Sequence, residues 1–255
     1  MKTPAILIAL LLSLFGFRMN SAAAEPARIV IMIGEDEYKT WETLPVFAEK
    51  DLRPLGHRVT IIHADETDKN RWPGLEAAMR EADLLMVSAR RRTPHKEQLD
   101  AVRAHLAAGK PLVGIRTASH AFALLPKKTL TDPALAIWQE FDKDVLGGHY
   151  TGHYGKDEAA IRLAPDAGAH PILAGVDVSK LIGHGGLYKN TPLEPTATAL
   201  LMGTITDVTE PVAWTHHFGE KKARIFYTSL GHWDDFTSAD FRRLLTNGIH
   251  WALKK

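Results

Sequence analysis

Short apolar runs rich in β-branched residues alternate along this chain with segments whose apolar residues recur at helical spacing. Such an alternation is typical of βαβ units that build a mostly parallel sheet. The predicted strands cover residues 28–33, 58–63, 83–88, 111–115, 159–163, 197–202, 211–216 and 224–229. We therefore expect an α/β fold with one doubly wound sheet in a single domain, and ligands outside the carboxyl ends of its strands.

Helical periodicity is clearest over residues 94–108. Thr93 is the expected N-cap, Pro94 suits the first helical position, and Gly109 ends the helix. The remaining predicted helices cover residues 44–55, residues 75–82 and an amphipathic segment that starts after the N-cap Ser238. The side chain of Trp251 is expected on the buried face of this last helix.

A glycine-led turn follows the predicted strand 111–115, with the sequence Gly114-Ile115-Arg116-Thr117-Ala118-Ser119-His120-Ala121. A turn of this kind projects one side chain over the sheet edge and directs helix N–H groups at the same point, which is the geometry of a nucleophile elbow. The side chain at that position is Arg116. A guanidinium binds and polarises an oxygen atom but does not attack, so we predict that Arg116 polarises a substrate.

The first 24 residues have the pattern of a secretory signal peptide. Lys2 supplies the positive charge, residues 5–17 are apolar, and three alanines precede Glu25. The apolar stretch is short for a bilayer span and ends at Arg18, although an uncleaved anchor is the alternative. We expect a mature domain of residues 25–255, periplasmic or secreted, with no stable membrane insertion after cleavage.

The charges of the chain are nearly balanced. Removal of the signal segment would change the formal net charge from +1 to −1, because Lys2 and Arg18 are lost and no acid is. A balanced chain argues against nucleic acid or an anionic membrane as a partner. The cluster Arg90-Arg91-Arg92 is a local exception that we interpret as a loop rim. The chain has no cysteine, which excludes disulfides and thiolate metal ligands and leaves histidine and carboxylates as strong ligands.

Histidines are concentrated after the elbow. His149 and His153 lie four residues apart, which is metal-ligand spacing if the segment is helical. Four glycines within residues 147–155 favour instead a loop whose histidines bond to the backbone. His184 and His232 follow predicted strands, on the side where a site would form. A divalent metal, with zinc expected, would take its ligands from His149, His153, His184 and His232.

Three carboxylates follow the first predicted strand, at Glu35, Asp36 and Glu37, and Glu42 comes shortly after them. Acids repel phosphate and the glycine-rich fingerprint is missing, so no nucleotide cofactor is expected. The carboxylates could bind sugar hydroxyls, hold a metal together with the histidines, or cap the following helix. Helix capping needs the fewest assumptions.

Four segments together resemble one known family. They are Glu42-Thr43-Leu44-Pro45, the turn at Arg116, the segment Gly147-Gly148-His149-Tyr150-Thr151-Gly152-His153, and the segment Ala223-Arg224-Ile225-Phe226-Tyr227-Thr228-Ser229-Leu230-Gly231-His232. The chain is similar to the ThuA-like, or trehalose-utilisation, family, whose fold resembles the class I glutamine amidotransferase domain. The resemblance implies a flavodoxin-like sheet, a role in sugar metabolism on oxidised (keto) glycosides, and a cleft that holds a divalent metal through histidine. Glutaminase activity is excluded, because Arg116 stands where that activity needs cysteine.

The first functional hypothesis is an enzyme that acts on a small carbohydrate, as a lyase or hydrolase of keto-sugars. A ketone acidifies its α-hydrogen, so a glycosidic bond can break by proton abstraction and elimination without a nucleophile. The predicted catalytic residues are Arg116, His153 and His232, with His149 and His184 behind them. The predicted substrate contacts are Glu35, Glu42, Tyr150 and Trp233.

The second hypothesis is a non-catalytic carbohydrate-binding or accessory module that kept the amidotransferase-like fold. Exposed aromatic side chains, such as those of Tyr150 and Trp233, would then stack on sugar rings. A homo-oligomer is compatible with either hypothesis. Stoichiometric metal would favour the enzyme, whereas tight sugar binding without metal would favour the module.

Overall fold

The structure is a computed structural model that describes residues 26–255, so the predicted signal peptide lies outside the described residues. Eleven strands are present in that part of the chain: β1 (Arg28–Gly34), β2 (Arg58–His63), β3 (Leu84–Ala89), β4 (Leu112–Ile115), β5 (Gly152–Tyr154), β6 (Ala159–Leu163), β7 (Ile182–Gly183), β8 (Leu187–Lys189), β9 (Thr198–Ile205), β10 (Val208–Phe218) and β11 (Ala223–Thr228). Four α-helices accompany them: α1 (Thr40–Phe47), α2 (Leu75–Glu81), α3 (Lys96–Ala107) and α4 (Ala239–Ala252).

Nine strands form one sheet in the order β2-β1-β3-β4-β11-β10-β9-β6-β7. The strands from β2 to β11 in this order are parallel, and β10, β9, β6 and β7 extend the sheet through antiparallel pairs. The parallel part has the flavodoxin-like strand order, in which the direction of winding reverses between β1 and β3. The predicted doubly wound α/β sheet is thus confirmed.

Two apolar cores lie on the two faces of this sheet. Along β1, Ile29 and Ile31 face the core that contains α1 and α4, whereas Val30 and Met32 face the core that contains α2 and α3. A strand covered on both faces needs apolar residues at every position. The continuous apolar run of β1 therefore follows from its central place in a sheet with helices on both sides.

Helix boundaries differ from the sequence-based prediction. The helix expected over residues 94–108 begins at Lys96 with His95 as its N-cap, so Thr93 lies two residues before the cap, where its N–H donates to Asn70 Oδ1 at 2.9 Å. Ser238 does cap α4, accepting from the N–H of Phe241 at 3.3 Å. Trp251 is only half-buried, with the guanidinium of Arg224 stacked 3.9 Å from its ring centroid.

The segment after the elbow is more ordered than its weak periodicity predicts. It contains a short π-helical stretch, Asp142–Leu146, and the strand β5, which pairs with β8 in a separate two-stranded sheet. This segment crosses the carboxyl ends of β4 and β11. Within residues 26–255, no helix has the length and hydropathy that a bilayer crossing requires.

Candidate functional site

The predicted elbow is present at the carboxyl end of β4. Arg116 has φ of 45°, a left-handed conformation that is costly for a residue with a side chain, and a 3-10 turn over Arg116–His120 follows. The phenol of Tyr227 donates to the carbonyl oxygen of Arg116 at 2.7 Å and secures the turn. Gly114 cannot carry a side chain, because a Cβ there would lie 2.9 Å from the ring of Tyr227.

Arg116 does not project into a cavity as predicted, and its side chain is 1% exposed. Its guanidinium donates to the carbonyl oxygens of Ser229 at 2.8 Å and Gly185 at 2.5 Å. The rings of Tyr38 and Tyr188 lie 4.1 Å and 4.8 Å from the guanidinium carbon. A cation enclosed in this way joins the elbow to two distant loops. In this structure the guanidinium thus connects the elbow with the loops that carry Ser229 and Gly185.

Glu35 orders the loop that places Tyr38 against Arg116. One carboxylate oxygen accepts the N–H groups of Glu37 and Tyr38, both at 2.6 Å. The other accepts the N–H and the hydroxyl of Thr40, at 2.7 Å and 2.6 Å. Glu35 is 3% exposed and fully engaged, so the geometry favours loop ordering over the predicted contact with substrate. Glu42, the other predicted acidic contact, lies exposed on α1.

A cavity of about 380 Å³ opens beside the elbow, and we call it the elbow cavity. It lies at the carboxyl ends of β3 and β4, the position that the topology favours for a ligand. Its lining residues are Arg91, Ser119, His120, Ala123, Leu124, Pro126, Gln139, Glu140, Asp142, Lys143, His149, Tyr150 and Thr151.

His120 forms the buried wall of the elbow cavity, and the sequence-based prediction missed it. Its ring stacks on Tyr150 with a centroid distance of 4.4 Å and an interplanar angle of 18°. Nδ1 lies 3.0 Å from Ser119 Oγ, and no group among the described residues engages Nε2. Burial first, and then the charges of Arg91, Arg90 and Arg116, lower the pKa of His120 well below its ordinary value. A neutral imidazole at pH 7 can donate a hydrogen bond to a carbonyl oxygen.

The arginine cluster before α3 supplies the cation of the elbow cavity. Arg90 pairs with Glu37 at 2.7 Å, and Arg92 pairs with Asp36, so these two form the predicted loop rim. Arg91 lines the cavity instead, where Nη1 donates to the carbonyl oxygen of Leu124 at 3.3 Å. Arg91 has no carboxylate partner in the described part of the chain.

Ser119 is not activated as a nucleophile. It is 3% exposed, and its neighbouring imidazole, that of His120, has a strongly lowered pKa and is therefore a poor base. No carboxylate from residues 26–255 contacts that imidazole to orient it. The elbow therefore lacks the arrangement of a serine hydrolase as well as the cysteine of an amidotransferase.

Asp142 is a buried carboxyl group on the opposite wall of the elbow cavity. It is 9% exposed, Oδ2 accepts the N–H of Tyr150 at 2.5 Å, and Oδ1 is buried without a hydrogen-bond partner. Burial raises the pKa of Asp142 to about 7, although the bond from Tyr150 opposes the shift. The group is thus neutral at mildly acid pH, unlike an ordinary aspartate.

The raised pKa of Asp142 predicts a stability that depends on pH. Between the ordinary value of 3.8 and about 7, the native state keeps a proton that the unfolded chain has released. The free energy of unfolding should therefore fall as pH rises through this window. An asparagine side chain does not titrate. The free energy of unfolding of Asp142→Asn relative to the parent protein, measured by urea denaturation, should therefore rise by about 3 kcal/mol between pH 4 and pH 8. Asp144→Asn, at an exposed position two residues away, is the control measured at the same pH values, and a stability difference for Asp142→Asn that does not depend on pH would contradict the raised pKa.

A second group of histidines lies on the other side of Arg116, around a carboxylate that the sequence-based prediction missed. Asp235 is 2% exposed. Its Oδ2 accepts hydrogen bonds from the N–H groups of Gly231 and His232, at 2.7 Å and 3.0 Å, and its Oδ1 lies 2.5 Å from His184 Nδ1. The rings of His184 and His232 stack 6.0 Å apart. Trp233, which is partly exposed, packs on His232 with ring centroids 3.6 Å apart. Burial, followed by the charge of Arg116, lowers the pKa of His232.

The histidines of the glycine-rich segment do not share a helix face. His153 lies in β5, where Nδ1 contacts the carbonyl oxygen of Gly155 at 3.0 Å, because the glycines extend the chain. His149 is exposed and lines the elbow cavity together with the predicted contact Tyr150. A Cβ on Gly186 would lie 3.7 Å from His153 Nδ1, and one on Gly185 would lie 2.8 Å from His232. His153 and His232 therefore lie close to the same loop, His153 beside Gly186 and His232 beside Gly185.

Three of the four predicted metal ligands lie in these two groups, and His153 lies outside both, in β5. His149 lines the elbow cavity, whereas His184 and His232 surround Asp235. Among residues 26–255, no three histidine, aspartate or glutamate side chains are arranged to hold a metal ion.

Fold and site together define an α/β protein with a flavodoxin-like sheet and a strained elbow that carries no thiol. The sequence matches the ThuA family model, described as trehalose utilisation, over residues 31–252. The chain therefore belongs to the ThuA family, as the sequence motifs indicated, and the family description connects it with carbohydrate metabolism. No curated protein is similar enough to count as a match.

Solved structures share the fold at low sequence identity. A ThuA-like protein from Parabacteroides merdae is 17% identical, with a TM-score of 0.61 and coverage of 90% of each chain. The N-terminal domain of mmIFT52 is 11% identical, with a TM-score of 0.55 over 90% of this chain and 98% of that one. SMU.1228c is 14% identical, with a TM-score of 0.53 over 89% of this chain and 100% of that one. At these identities the likeness extends to the fold alone.

Proposed function

We propose that this ThuA-family protein is an exported enzyme that cleaves a keto-glycoside in the elbow cavity by proton abstraction and elimination. The observation that supports this most is the composition of the cavity wall. It combines a neutral imidazole, His120, a cation without a carboxylate partner, Arg91, and a second, exposed imidazole, His149. Export follows from the sequence of the first 24 residues.

The polarising role moves from Arg116 to His120 and Arg91. A ketone oxygen that accepts hydrogen bonds from His120 Nε2 and from the guanidinium of Arg91 withdraws electrons from the neighbouring carbon, so the hydrogen on that carbon becomes acidic. Preorganised donors of this kind stabilise the enolate oxygen that develops in the transition state. Arg116 supports them by holding the elbow turn that carries His120.

His149 is the base in this proposal. Its ring makes no hydrogen bond or ion pair within the described residues, and it lies exposed at the elbow cavity. An exposed imidazole beside an acidified carbon is placed to take its proton. His153 and His232, which the sequence alone favoured, lie outside the elbow cavity lining.

A sugar suits the remaining lining of the elbow cavity. Tyr150 and His120 present stacked aromatic rings, and aromatic faces pack well on the apolar faces of sugar rings. Gln139, Glu140 and Thr151 supply polar groups for hydroxyls. The volume of about 380 Å³ lies in the range of small-molecule sites.

A substrate panel tests the proposal directly. The purified protein would be incubated with 3-keto-glucosides and with the corresponding unoxidised glycosides, and cleavage and bound zinc would be measured on the same sample. Cleavage confined to the oxidised sugars is expected, because only a ketone acidifies the α-hydrogen. Tight sugar binding with no cleavage of any keto-glycoside would overturn the proposal in favour of a binding module.

A further inference from the structure

We infer that Asp142 is the general acid of the elbow cavity and protonates the glycosidic oxygen as it leaves. The inference rests on the proposed function and adds the residue that completes it. The leaving group of an unactivated glycoside is a sugar alkoxide, which departs slowly unless it receives a proton. The elbow cavity therefore needs a proton donor as well as a base.

The geometry of Asp142 assigns the proton to one oxygen. Oδ2 is fixed by the N–H of Tyr150 at 2.5 Å, so it acts as an acceptor. Oδ1 is buried and has no partner in the described part of the chain, so it can carry the proton. Gly148 packs against the carboxyl group, and a Cβ there would lie 3.1 Å from Oδ1. Oδ1 is thus held in one orientation, in a residue that lines the cavity.

The surroundings of Asp142 keep its carboxyl group neutral. The ring of Trp214 lies on the same side of Gly148 as this carboxyl group, because a Cβ on Gly148 would lie 2.8 Å from that ring and 3.1 Å from Asp142 Oδ1. Tyr227, from β11, interacts with Asp142 electrostatically, and burial raises the pKa of its hydroxyl further above the ordinary value, so it adds no charge. No cation in the described residues pairs with Asp142. Its burial therefore favours the protonated form.

The charged and titratable groups around Asp142 lie on its own segment and on three others. On its own segment, Lys143 and Glu140 have opposite charges. Arg91 lies on the loop after β3, His120 on the elbow, and His149 on the glycine-rich segment. None of these groups forms an ion pair with Asp142. They can therefore contact the substrate while Asp142 keeps its proton.

The resulting step balances. His149 takes the hydrogen from the carbon between the ketone and the anomeric carbon, and the electron pair forms a double bond to the anomeric carbon. The bond from the anomeric carbon to the glycosidic oxygen breaks, and that oxygen takes the proton of Asp142, directly or through one water. The products are an unsaturated keto-sugar and an alcohol. Transfer of one proton through water from His149 to Asp142 restores both groups.

The dependence on the leaving group tests Asp142 against a merely structural role. A 4-nitrophenolate leaves without protonation, whereas a sugar alkoxide does not. We expect Asp142→Asn to lower kcat/KM about 10²-fold to 10³-fold for a 3-keto-disaccharide and less than about 10-fold for the 4-nitrophenyl 3-keto-glucoside. Asp144→Asn, which removes an exposed carboxylate two residues away, should leave both values unchanged.

The outcomes separate this inference from the proposed function. Equal losses on both substrates, or no loss on either, would overturn the role of Asp142 while the activity itself stands. A parent protein that cleaves neither substrate would overturn the proposed function, and the acid role with it. Circular dichroism and the thermal midpoint of Asp142→Asn at pH 8 establish that the variant is folded, and its uncharged, similarly shaped side chain suits the buried site.

Discussion

Replacement of His149 by alanine should lower kcat/KM for a 3-keto-glycoside by about 10²-fold to 10⁴-fold, the usual cost of losing a general base. The protein should fold as before, because the His149 ring makes no hydrogen bond or ring contact within the described residues and is exposed. The main chain alone is engaged, through the N–H that donates to Asn190 at 3.0 Å. Initial rates measured over a range of substrate concentrations check the prediction.

Two further histidine variants show whether the effect belongs to the elbow cavity. His217→Ala is the matched control and should keep full activity. His217 is exposed on β10, where it pairs with Arg224 near the start of β11, at the end of the sheet away from the elbow cavity. His232→Ala tests the other group, around Asp235. Loss of turnover in His232→Ala together with normal turnover in His149→Ala would place the chemistry at Asp235 and contradict the account.

Replacement of Glu35 by alanine should reduce the free energy of unfolding by about 3–5 kcal/mol. Four donors bond to this carboxylate at 2.6–2.7 Å, and its removal leaves the buried N–H groups of Tyr38 and Thr40 without a partner. Hydrogen bonds to an ionised group are the strong ones, so the cost exceeds that of an ordinary surface change. Urea denaturation with an unchanged m-value checks the result.

The neighbouring acid provides the control for Glu35. Glu37 is exposed, and its side chain forms only a surface ion pair with Arg90, so Glu37→Ala should cost less than about 1 kcal/mol. Glu35→Ala should also lower activity, because Tyr38 loses its fixed place against Arg116. If Glu35→Ala is as stable as Glu37→Ala, the carboxylate does not order the loop as described.

Local sequence signals were sufficient for the sheet and the elbow. The bounds of β2 were predicted to the residue, although β2 is an edge strand of the sheet, because its β-branched residues alternate between buried and exposed positions. The elbow was predictable because glycine at 114 and a strand-to-helix transition are local features. The N-cap at Thr93 was wrong because the helix begins later, at Lys96 after His95.

The candidate site was harder to predict, because distant contacts decide the role of each side chain. Arg116 is enclosed by Tyr38 and Tyr188, which come from loops far away in the sequence, so its burial has no local signal. Glu35 followed the simplest expectation, that of ordering the start of α1. Asp142 looks like an ordinary surface acid in the sequence, and only the packing of the segment over β10 and β11 buries it.

His120 did carry a local signal. It is the last residue of the short turn that begins at Arg116, and a histidine there is placed at the carboxyl edge of the sheet. In an elbow without a nucleophile, the residues after the turn are the ones to consider as hydrogen-bond donors to a ligand.

The central claim is that a glycosidic bond breaks here through loss of the hydrogen beside a ketone. The most direct measurement is nuclear magnetic resonance of the products when a 3-keto-glucoside is cleaved in deuterium oxide. The account predicts that the carbon between the ketone and the former anomeric carbon has lost its original hydrogen in every product molecule. Product that keeps that hydrogen would mean that the bond breaks by direct displacement, and would contradict the account.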